Sequence, residues 1–181
     1  MPARRRPSPT PALDALSGAE HARVLADLLT SHPELRPEGE DAARRLLDDA
    51  SIGAIAESVA CALEDIPLDA LAMRSGRVRG RGYVHETDAA WEIVHESVEP
   101  FLADLRRRAS LGLDAAADVA AGIVTGLYQC REPEDGTVVA YAGPDSLAEL
   151  AEEVMNEASK LGVVLSPDLP EQFWPDWSLP A

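Results

Sequence analysis

Aromatic residues, cysteine and long apolar runs are all scarce in this 181-residue chain. Only 4% of the residues are aromatic although 46% are hydrophobic, so the apolar mass consists mainly of Ala, Leu, Val and Ile. Side chains that are not branched at Cβ, such as Ala and Leu, favour helices. No apolar run approaches the roughly 20 residues that a membrane span needs. We therefore expect no membrane partner.

The residue patterns that carry chemistry are missing as well. The two cysteines, Cys61 and Cys130, lie far apart in apolar segments, with no Cys-x-x-Cys pair and no nearby His cluster. We interpret both as small buried hydrophobes. The chain also lacks a His-Glu-x-x-His zinc motif, a Gly-x-Ser-x-Gly nucleophile and a phosphate-binding Gly-x-x-x-x-Gly-Lys loop. We therefore predict no catalytic residue and no cofactor, and we do not favour an enzyme.

Acidic residues outnumber basic ones, with 32 Asp and Glu against 16 Lys and Arg and a formal net charge of −16. Such a surface repels a phosphate backbone, which argues against nucleic acid as a partner. The first residues, Met-Pro-Ala-Arg-Arg-Arg, are charged like the start of a signal peptide, but a Pro-rich tract follows them instead of an apolar segment. We therefore expect a cytoplasmic protein.

The spacing of the apolar residues predicts an all-α fold. They recur every three or four residues in successive segments separated by short loops, as in amphipathic helices. Helices joined by such loops lie antiparallel to their neighbours, so we expect antiparallel helix pairs in a helical bundle or a short HEAT-like α-solenoid. The predicted organisation is a disordered arm over 1–15, an N-terminal helical half over 16–74, a basic loop over 75–84, a C-terminal helical half over 85–162 and a Pro/aromatic tail over 163–181.

A capping box marks the start of the first helix. The Ser17 hydroxyl can accept a hydrogen bond from the Glu20 amide while the Glu20 carboxylate accepts one from the Ser17 amide. The helix that follows carries four apolar residues on one face: Val24, Leu25, Leu28 and Leu29.

Four further signals concern the second half of the chain. Thr87 is expected to cap the longest helix, and Pro100 inside that helix predicts a kink or break near 96–100. Gly122 and Gly126 are interpreted as packing residues that let a neighbouring helix approach closely. The β-prone residues at 137–139 predict a short extended segment.

Two clusters of side chains are candidate binding sites for another protein. The basic loop could hold a phosphate or an acidic peptide, or it could dock on the acidic surface of its own chain or be simply solvated. The aromatic side chains of the tail either cap an end of the helical stack or dock into a partner. The candidate residues are Arg74, Arg77, Arg79 and Arg81 in and beside the loop, and Phe173, Trp174 and Trp177 in the tail.

A weaker candidate is a metal site at Glu92 and His95. This Glu-x-x-His pair is the element that carboxylate-bridged di-iron bundles use. Those sites need a second such element and two further inward glutamates, and no second Glu-x-x-His occurs in the chain. We therefore favour a solvated or locally salt-bridged pair and predict no metal.

Several short motifs lie between residues 82 and 162. They are Gly-Tyr-Val-His at 82–85, Ala-Ala-Trp at 89–91, Phe-Leu-Ala-Asp-Leu at 101–105, Leu-Gly-Leu-Asp-Ala-Ala at 111–116, Glu-Asp-Gly at 134–136 and Leu-Ala-Glu-Leu at 147–150. In these motifs the stretch resembles the helical region that follows the zinc-binding module in bacterial SWIM zinc-finger proteins. The chain has no Cys-x-Cys or Cys-x-His, so it lacks the residues of that metal site. The resemblance covers under half of the chain, implies a helical-repeat scaffold and carries over no catalytic residue.

The leading functional hypothesis is a non-enzymatic protein–protein interaction or scaffold module. The succession of amphipathic helices and the lack of a complete catalytic set favour it. One alternative is a small-molecule or anion-binding sensor, or an enzyme, with a site between the two helical halves that includes the loop arginines, His85, Glu92 and His95. The other alternative is a DNA-associated regulator, which the net charge makes the least favoured of the three.

Overall fold

A computed structural model describes residues 11–80, 82–166, 169 and 177 of the chain. It confirms the all-α prediction, because helices that pack against one another make up nearly all of the regular structure. Two compact units are present, Met1–Arg45 and Leu46–Ala181. In chain order the elements are α1 (Gly18–Ser31), α2 (Arg36–Leu47), α3 (Ile52–Glu64), α4 (Leu68–Arg74), β1 (Gly76–Val78), β2 (Gly82–Val84), α5 (Glu86–Ser110), α6 (Ala115–Gln129), α7 (Val138–Ala142) and α8 (Ser146–Lys160), with short 3-10 helices at Leu13–Ala15 and Pro33–Leu35.

The predicted capping box forms at the start of α1. The Ser17 hydroxyl accepts a hydrogen bond from the Glu20 amide at 3.4 Å, and the Glu20 carboxylate accepts one from the Ser17 amide at 2.8 Å. These bonds favour the charged carboxylate, so the pKa of Glu20 is lowered, mainly by the Ser17 backbone amide. Upstream, the 3-10 helix at Leu13–Ala15 gives regular structure to the end of the expected arm, while residues 1–10 lie outside the described ranges.

The α1–α2 unit has no core of its own within residues 11–45, where no side chain is buried. The two helices do touch, because a Cβ placed on Gly39 of α2 would lie 3.6 Å from the Leu29 side chain of α1. The other residues of the predicted apolar face are open to solvent, with Val24 42%, Leu25 53% and Leu28 44% exposed. The apolar spacing therefore predicted the helix correctly, but the structure leaves most of its apolar face unburied.

The second unit is organised around α6, which packs against α3, α5 and α8. The residues of α6 that point toward these neighbours are almost completely buried, and Gly122 and Gly126 lie on the side that faces α3. The buried apolar side chains of α6 are Ala115, Ala116, Val119, Ala120, Ile123, Val124 and Leu127.

The two glycines of α6 confirm the packing role predicted for them. A Cβ on Gly122 would lie 2.7 Å from the Cβ of Ile55, and one on Gly126 would lie 2.6 Å from the carbonyl oxygen of Ala56. Moving one turn along α6 thus moves the contact along α3 in the same sense, so these two helices run in the same direction. They are not neighbours in sequence, and the short-loop rule for antiparallel pairs does not apply to them.

The long helix α5 differs from its prediction in two details. It begins at Glu86 with His85 as the N-cap, whose Nδ1 accepts a hydrogen bond from the Thr87 amide at 3.2 Å. The predicted cap Thr87 is therefore already inside the helix. The helix also continues through Pro100 to Ser110, so of the predicted kink or break near 96–100 the break does not occur.

The segment at 137–139 is helical, and the prediction of an extended strand was wrong. Thr137 is the N-cap of α7, and its hydroxyl accepts a hydrogen bond from the Ala140 amide at 3.3 Å. Val138 and Val139 are both buried as α7 packs on α5. Burial in tertiary contacts outweighs the intrinsic β-preference of two valines, which is small.

The division of the chain into two compact units does not lie at the boundary predicted in the basic loop. Both α3 and α4, which precede the loop, pack against α5, which follows it. Residues on either side of the loop therefore share one core, and the division into compact units falls between Arg45 and Leu46 instead. The close approach that Gly122 and Gly126 allow brings α3 into this core.

Charged side chains connect α5 to α8 at the surface of the second unit. Arg106 donates to both carboxylate oxygens of Glu157, and its Nη1 lies 2.5 Å from the carboxylate of Glu99. The hydrogen bond from Arg106 holds the pKa of Glu157 below its ordinary value, and the same bond raises the pKa of Arg106.

None of the helices in the described ranges is long and apolar enough to cross a lipid bilayer.

Candidate interaction surfaces

The predicted basic loop is a small antiparallel hairpin. Its strands pair Gly76 with Val84, Arg77 with Tyr83 and Val78 with Gly82. Successive side chains of a strand point to opposite faces, and the inner face here carries Val84, which is buried, and Val78, which packs against the core. The hairpin is therefore attached to the second unit by its valines, and it presents Arg77 and Tyr83 on its outer face.

The loop arginines have different surroundings in the structure. Arg74 lies at the end of α4 and donates to the carboxylate of Glu96 on α5 at 2.7 Å, so this side chain docks on its own chain. Arg77 and Arg79 are exposed, and neither makes an ion pair within the part of the chain that the structure describes. Arg81 lies outside the described residues.

Tyr83 is the most unusual residue of the hairpin. Its side chain is 77% exposed, in a chain where only 4% of the residues are aromatic. It lies directly across the strands from Arg77, at a separation where the two side chains can touch. We define the hairpin face as Arg77, Arg79 and Tyr83, which together form an exposed basic and aromatic surface on an acidic protein.

Of the three candidate residues in the aromatic tail, Trp177 is the one that the structure describes. Trp177 is buried and meets the ring of Tyr128 edge to face, with 5.1 Å between ring centroids and an interplanar angle of 86°. On the same tyrosine, the guanidinium of Arg131 lies 4.0 Å from the ring centroid. Trp177 thus packs on its own helices, while Phe173 and Trp174 lie outside the described residues.

The Glu92–His95 pair does not assemble into a metal centre. His95 lies 3.4 Å from the carboxylate of Glu153 on α8, and its ring is 6.4 Å from that of Trp91. Among the residues that the structure describes, no group of three His, Cys, Asp or Glu side chains could hold a metal ion. His95 therefore connects α5 to α8 through Glu153.

The cysteines differ from the prediction that both are buried. Cys61 is exposed because it lies two residues beyond the buried Val59, and at 100° per residue its side chain points to the opposite side of α3. Cys130 is half-buried, and burial raises the pKa of its thiol to about 11, with smaller contributions from Glu64 and Cys61. The thiol of Cys130 therefore lacks the lowered pKa of a reactive nucleophile.

A surface pocket of about 400 Å³ adjoins Cys130 near the ends of α3 and α6. Its polar lining is dominated by carboxylates, and it contains no base paired with a nucleophile. The residues around it are Leu63, Glu64, Gln129, Cys130, Glu132, Pro133, Glu134, Thr137 and Val139.

The exposed apolar face of α1 is a surface that the sequence interpretation missed. Val24, Leu25 and Leu28 have the spacing of core residues, and spacing alone cannot separate a face that packs within the chain from one that awaits a partner. The informative signal lies in the composition of α2, whose polar residues include Glu40, Asp41 and two successive arginines at 44–45. Such a helix offers little apolar surface to cover α1.

Comparison with known proteins finds no matching family model, no significantly similar curated protein and no significantly similar solved structure.

Proposed function

We propose that this protein is a non-enzymatic interaction module that binds another protein through the apolar face of α1, defined as Val24, Leu25 and Leu28. The observation that carries the proposal is the combination of a regular, capped helix with an apolar face that is about half exposed. An amphipathic helix normally buries such a face against another element. Helix-in-groove recognition, in which a partner receives an apolar helix face, is a common form of protein binding.

The energetics of the α1–α2 unit support this proposal. Helices of 14 and 12 residues are marginal by themselves, since isolated helices of this length form poorly in water. Complete burial of a valine or leucine side chain stabilises by about 1.5–3 kcal/mol. Covering the half of each side chain that is now exposed would therefore contribute about 1 kcal/mol per residue, or about 3 kcal/mol for the face.

The surroundings of the other candidate residues add support. A sensor or enzyme would use His85, Glu92 and His95 beside the loop arginines, but His85 caps α5 and His95 pairs with Glu153, so both histidines have structural roles. The resemblance to the helical region of SWIM zinc-finger proteins stays a prediction, and it too implies a scaffold. We therefore favour binding over catalysis.

The test compares two double variants of α1. Leu25→Gln with Leu28→Gln removes apolar surface from the proposed face, whereas Ala19→Gln with Thr30→Gln changes two residues on the opposite side of the helix. All four side chains are exposed, so we expect both variants to keep the circular dichroism and the urea midpoint of the wild-type chain. Binding should separate them, because only the first pair loses about 2 kcal/mol of apolar burial, or roughly thirty-fold in affinity.

Binding is measured by immobilising each form and quantifying by mass spectrometry the proteins captured from an extract of the source cell. Light scattering of the free protein is recorded in parallel to detect self-association. The proposal expects proteins that the wild type and the Ala19/Thr30 control capture equally and the Leu25/Leu28 variant does not. Equal capture by all three forms would contradict it.

A further inference from the structure

We propose that the hairpin face, Arg77, Arg79 and Tyr83, binds a short acidic segment of another protein. This inference goes beyond the proposed function because it concerns a different surface in the other compact unit. The α1 face and the hairpin face can therefore fail separately, and each has its own variants.

The first reason is that two arginines remain available for an external anion. The chain has twice as many acidic as basic residues, and Arg74, just before the hairpin, reaches Glu96 on the neighbouring helix. Arg77 and Arg79 reach no carboxylate within the described residues. Self-docking on the acidic surface, which the sequence left open for all four arginines, therefore accounts for Arg74 but not for these two.

The second reason is that the hairpin orients the face. The backbone pairing of β1 with β2 fixes Arg77 opposite Tyr83, while the inward Val78 and Val84 anchor the strands to the core. A guanidinium presents its donors in a planar fork that matches a carboxylate. The phenolic hydroxyl of Tyr83 adds a donor, and its ring adds an apolar surface beside the charge.

The geometry of the turn also places Arg79 near the same ligand. Val78 and Gly82 form the last pair of the hairpin ladder, and Gly80 and Gly82 have φ values of +86° and +84°. These values are in the region that glycine adopts without strain. Arg79 is exposed and directly follows β1, roughly two strand residues or about 7 Å along the chain from Arg77.

The size of the face favours a short peptide over a nucleic acid. Each strand has three residues and so spans about 10 Å, which is comparable to the Debye length of about 8 Å at physiological salt. A longer polyphosphate would extend over the acidic surface of a protein with net charge −16, beginning with Glu86 and Asp88 directly after β2. A segment with two or three carboxylates can pair with the arginines and end before that repulsion accumulates.

The same charge argument separates a foreign segment from a second copy of this chain. Two copies would each carry −16 and would repel each other as they approached. A partner that is less acidic overall, with carboxylates concentrated in one short segment, avoids this repulsion.

The experiment is a titration of the full-length, nitrogen-15-labelled protein followed by two-dimensional NMR. The probes are three blocked oligomers: an eight-residue peptide of alternating Glu and Gly, the matched peptide of alternating Gln and Gly, and an oligothymidylate of eight nucleotides. We expect the Glu peptide to shift the amide signals of residues 76–84 with weak, salt-sensitive affinity. We expect the Gln peptide to leave these signals in place.

Variants assign the effect to the hairpin face. Arg77→Gln with Arg79→Gln should weaken binding of the Glu peptide at least ten-fold, and Tyr83→Phe should weaken it about two- to five-fold. The matched control is Arg23→Gln with Arg36→Gln, which removes the same charge from exposed positions in the other unit and should leave the affinity unchanged. Cross-strand nuclear Overhauser effects between Gly76 and Val84 and between Val78 and Gly82, retained in the unbound variants, verify that the hairpin remains folded.

Several results would overturn the proposal. Absence of shifts at residues 76–84 with the Glu peptide would do so, as would equal weakening by the Arg23/Arg36 control. Tighter binding of oligothymidylate than of the Glu peptide would identify a nucleic-acid surface instead. Concentration-dependent shifts of the same signals without any peptide would identify a second copy as the occupant.

Discussion

Substitution of Gly126 by alanine adds one methyl group where α6 lies closest to α3. The new Cβ would be 2.6 Å from the carbonyl oxygen of Ala56 and 2.7 Å from the Cβ of Val59. Ordinary contacts of a methyl group with such atoms are about 3.5 Å. One helix must therefore move by several tenths of an ångström, because a backbone carbonyl and a Cβ cannot rotate away.

Two opposing terms determine the size of the effect. Alanine is favoured over glycine in a helix interior by about 0.5–1 kcal/mol. Overpacking a core typically costs about 1–3 kcal/mol, and a clash with backbone belongs at the upper end of that range. We therefore expect Gly126→Ala to lower the free energy of unfolding by about 2 kcal/mol, with a decrease in Tm of about 4–8 °C for a chain of this length.

The measurement is urea unfolding followed by tryptophan fluorescence. The described tryptophans, Trp91 and Trp177, both pack in or against the core of the second unit, so their signal reports on the unit that contains α3 and α6. The control is Gly53→Ala in α3, where an added Cβ meets nothing within 4 Å. That variant should be neutral or more stable by up to about 1 kcal/mol.

The contrast between the two variants tests the close approach itself. If Gly126→Ala proved as stable as Gly53→Ala, helix propensity alone would explain both, and α3 could not lie against α6 at the distance described. A stabilised Gly126→Ala would refute the reasoning in the same way.

Three further predictions concern other parts of the second unit. The folded-state pKa of Glu157 is lowered from an ordinary value of 4.5, so its contribution to stability is complete above about pH 4.5 and is lost as the pH falls through the folded pKa. In urea unfolding between pH 3 and 6, the free energy of unfolding of Glu157→Gln should converge on that of the wild type at low pH. A difference that stays constant with pH would count against the ion pair. Trp177→Ala should lower the free energy of unfolding by about 3 kcal/mol, and Trp177→Phe should lower it less because a phenyl ring keeps part of the contact with Tyr128. Unchanged unfolding of Trp177→Ala would show that the tail does not pack against Tyr128. At pH 8 only about one in a thousand Cys130 thiols is ionised, given its pKa of about 11. Peptide mass spectrometry should therefore find that iodoacetamide alkylates the exposed Cys61 first. Equal alkylation rates of the two cysteines would show that Cys130 is not shielded.

Some features of the fold follow from local sequence alone. The capping box at Ser17 needs only residues within one turn, and it forms as predicted. The spacing of Gly122 and Gly126 likewise indicates a helix face built for close contact, because two missing side chains one turn apart leave a gap. These predictions succeed because both signals act over a few residues.

The candidate sites depended more on tertiary structure. The sequence showed four arginines near one another but could not tell which of them has a carboxylate within reach, since Arg74 and Glu96 are separated by a hairpin. The tail showed the same limitation, because a tryptophan at 177 has no local signal that selects Tyr128 as its neighbour.

Side-chain periodicity and capping are local effects, so the amino-acid sequence alone establishes that this chain is helical and where several of its helices begin. Which apolar faces are buried depends on the tertiary structure. It made a helix of the β-prone Val138 and Val139 by packing α7 on α5. It also left Val24, Leu25 and Leu28 exposed, since burial depends on which elements meet and an amphipathic pattern does not specify its partner.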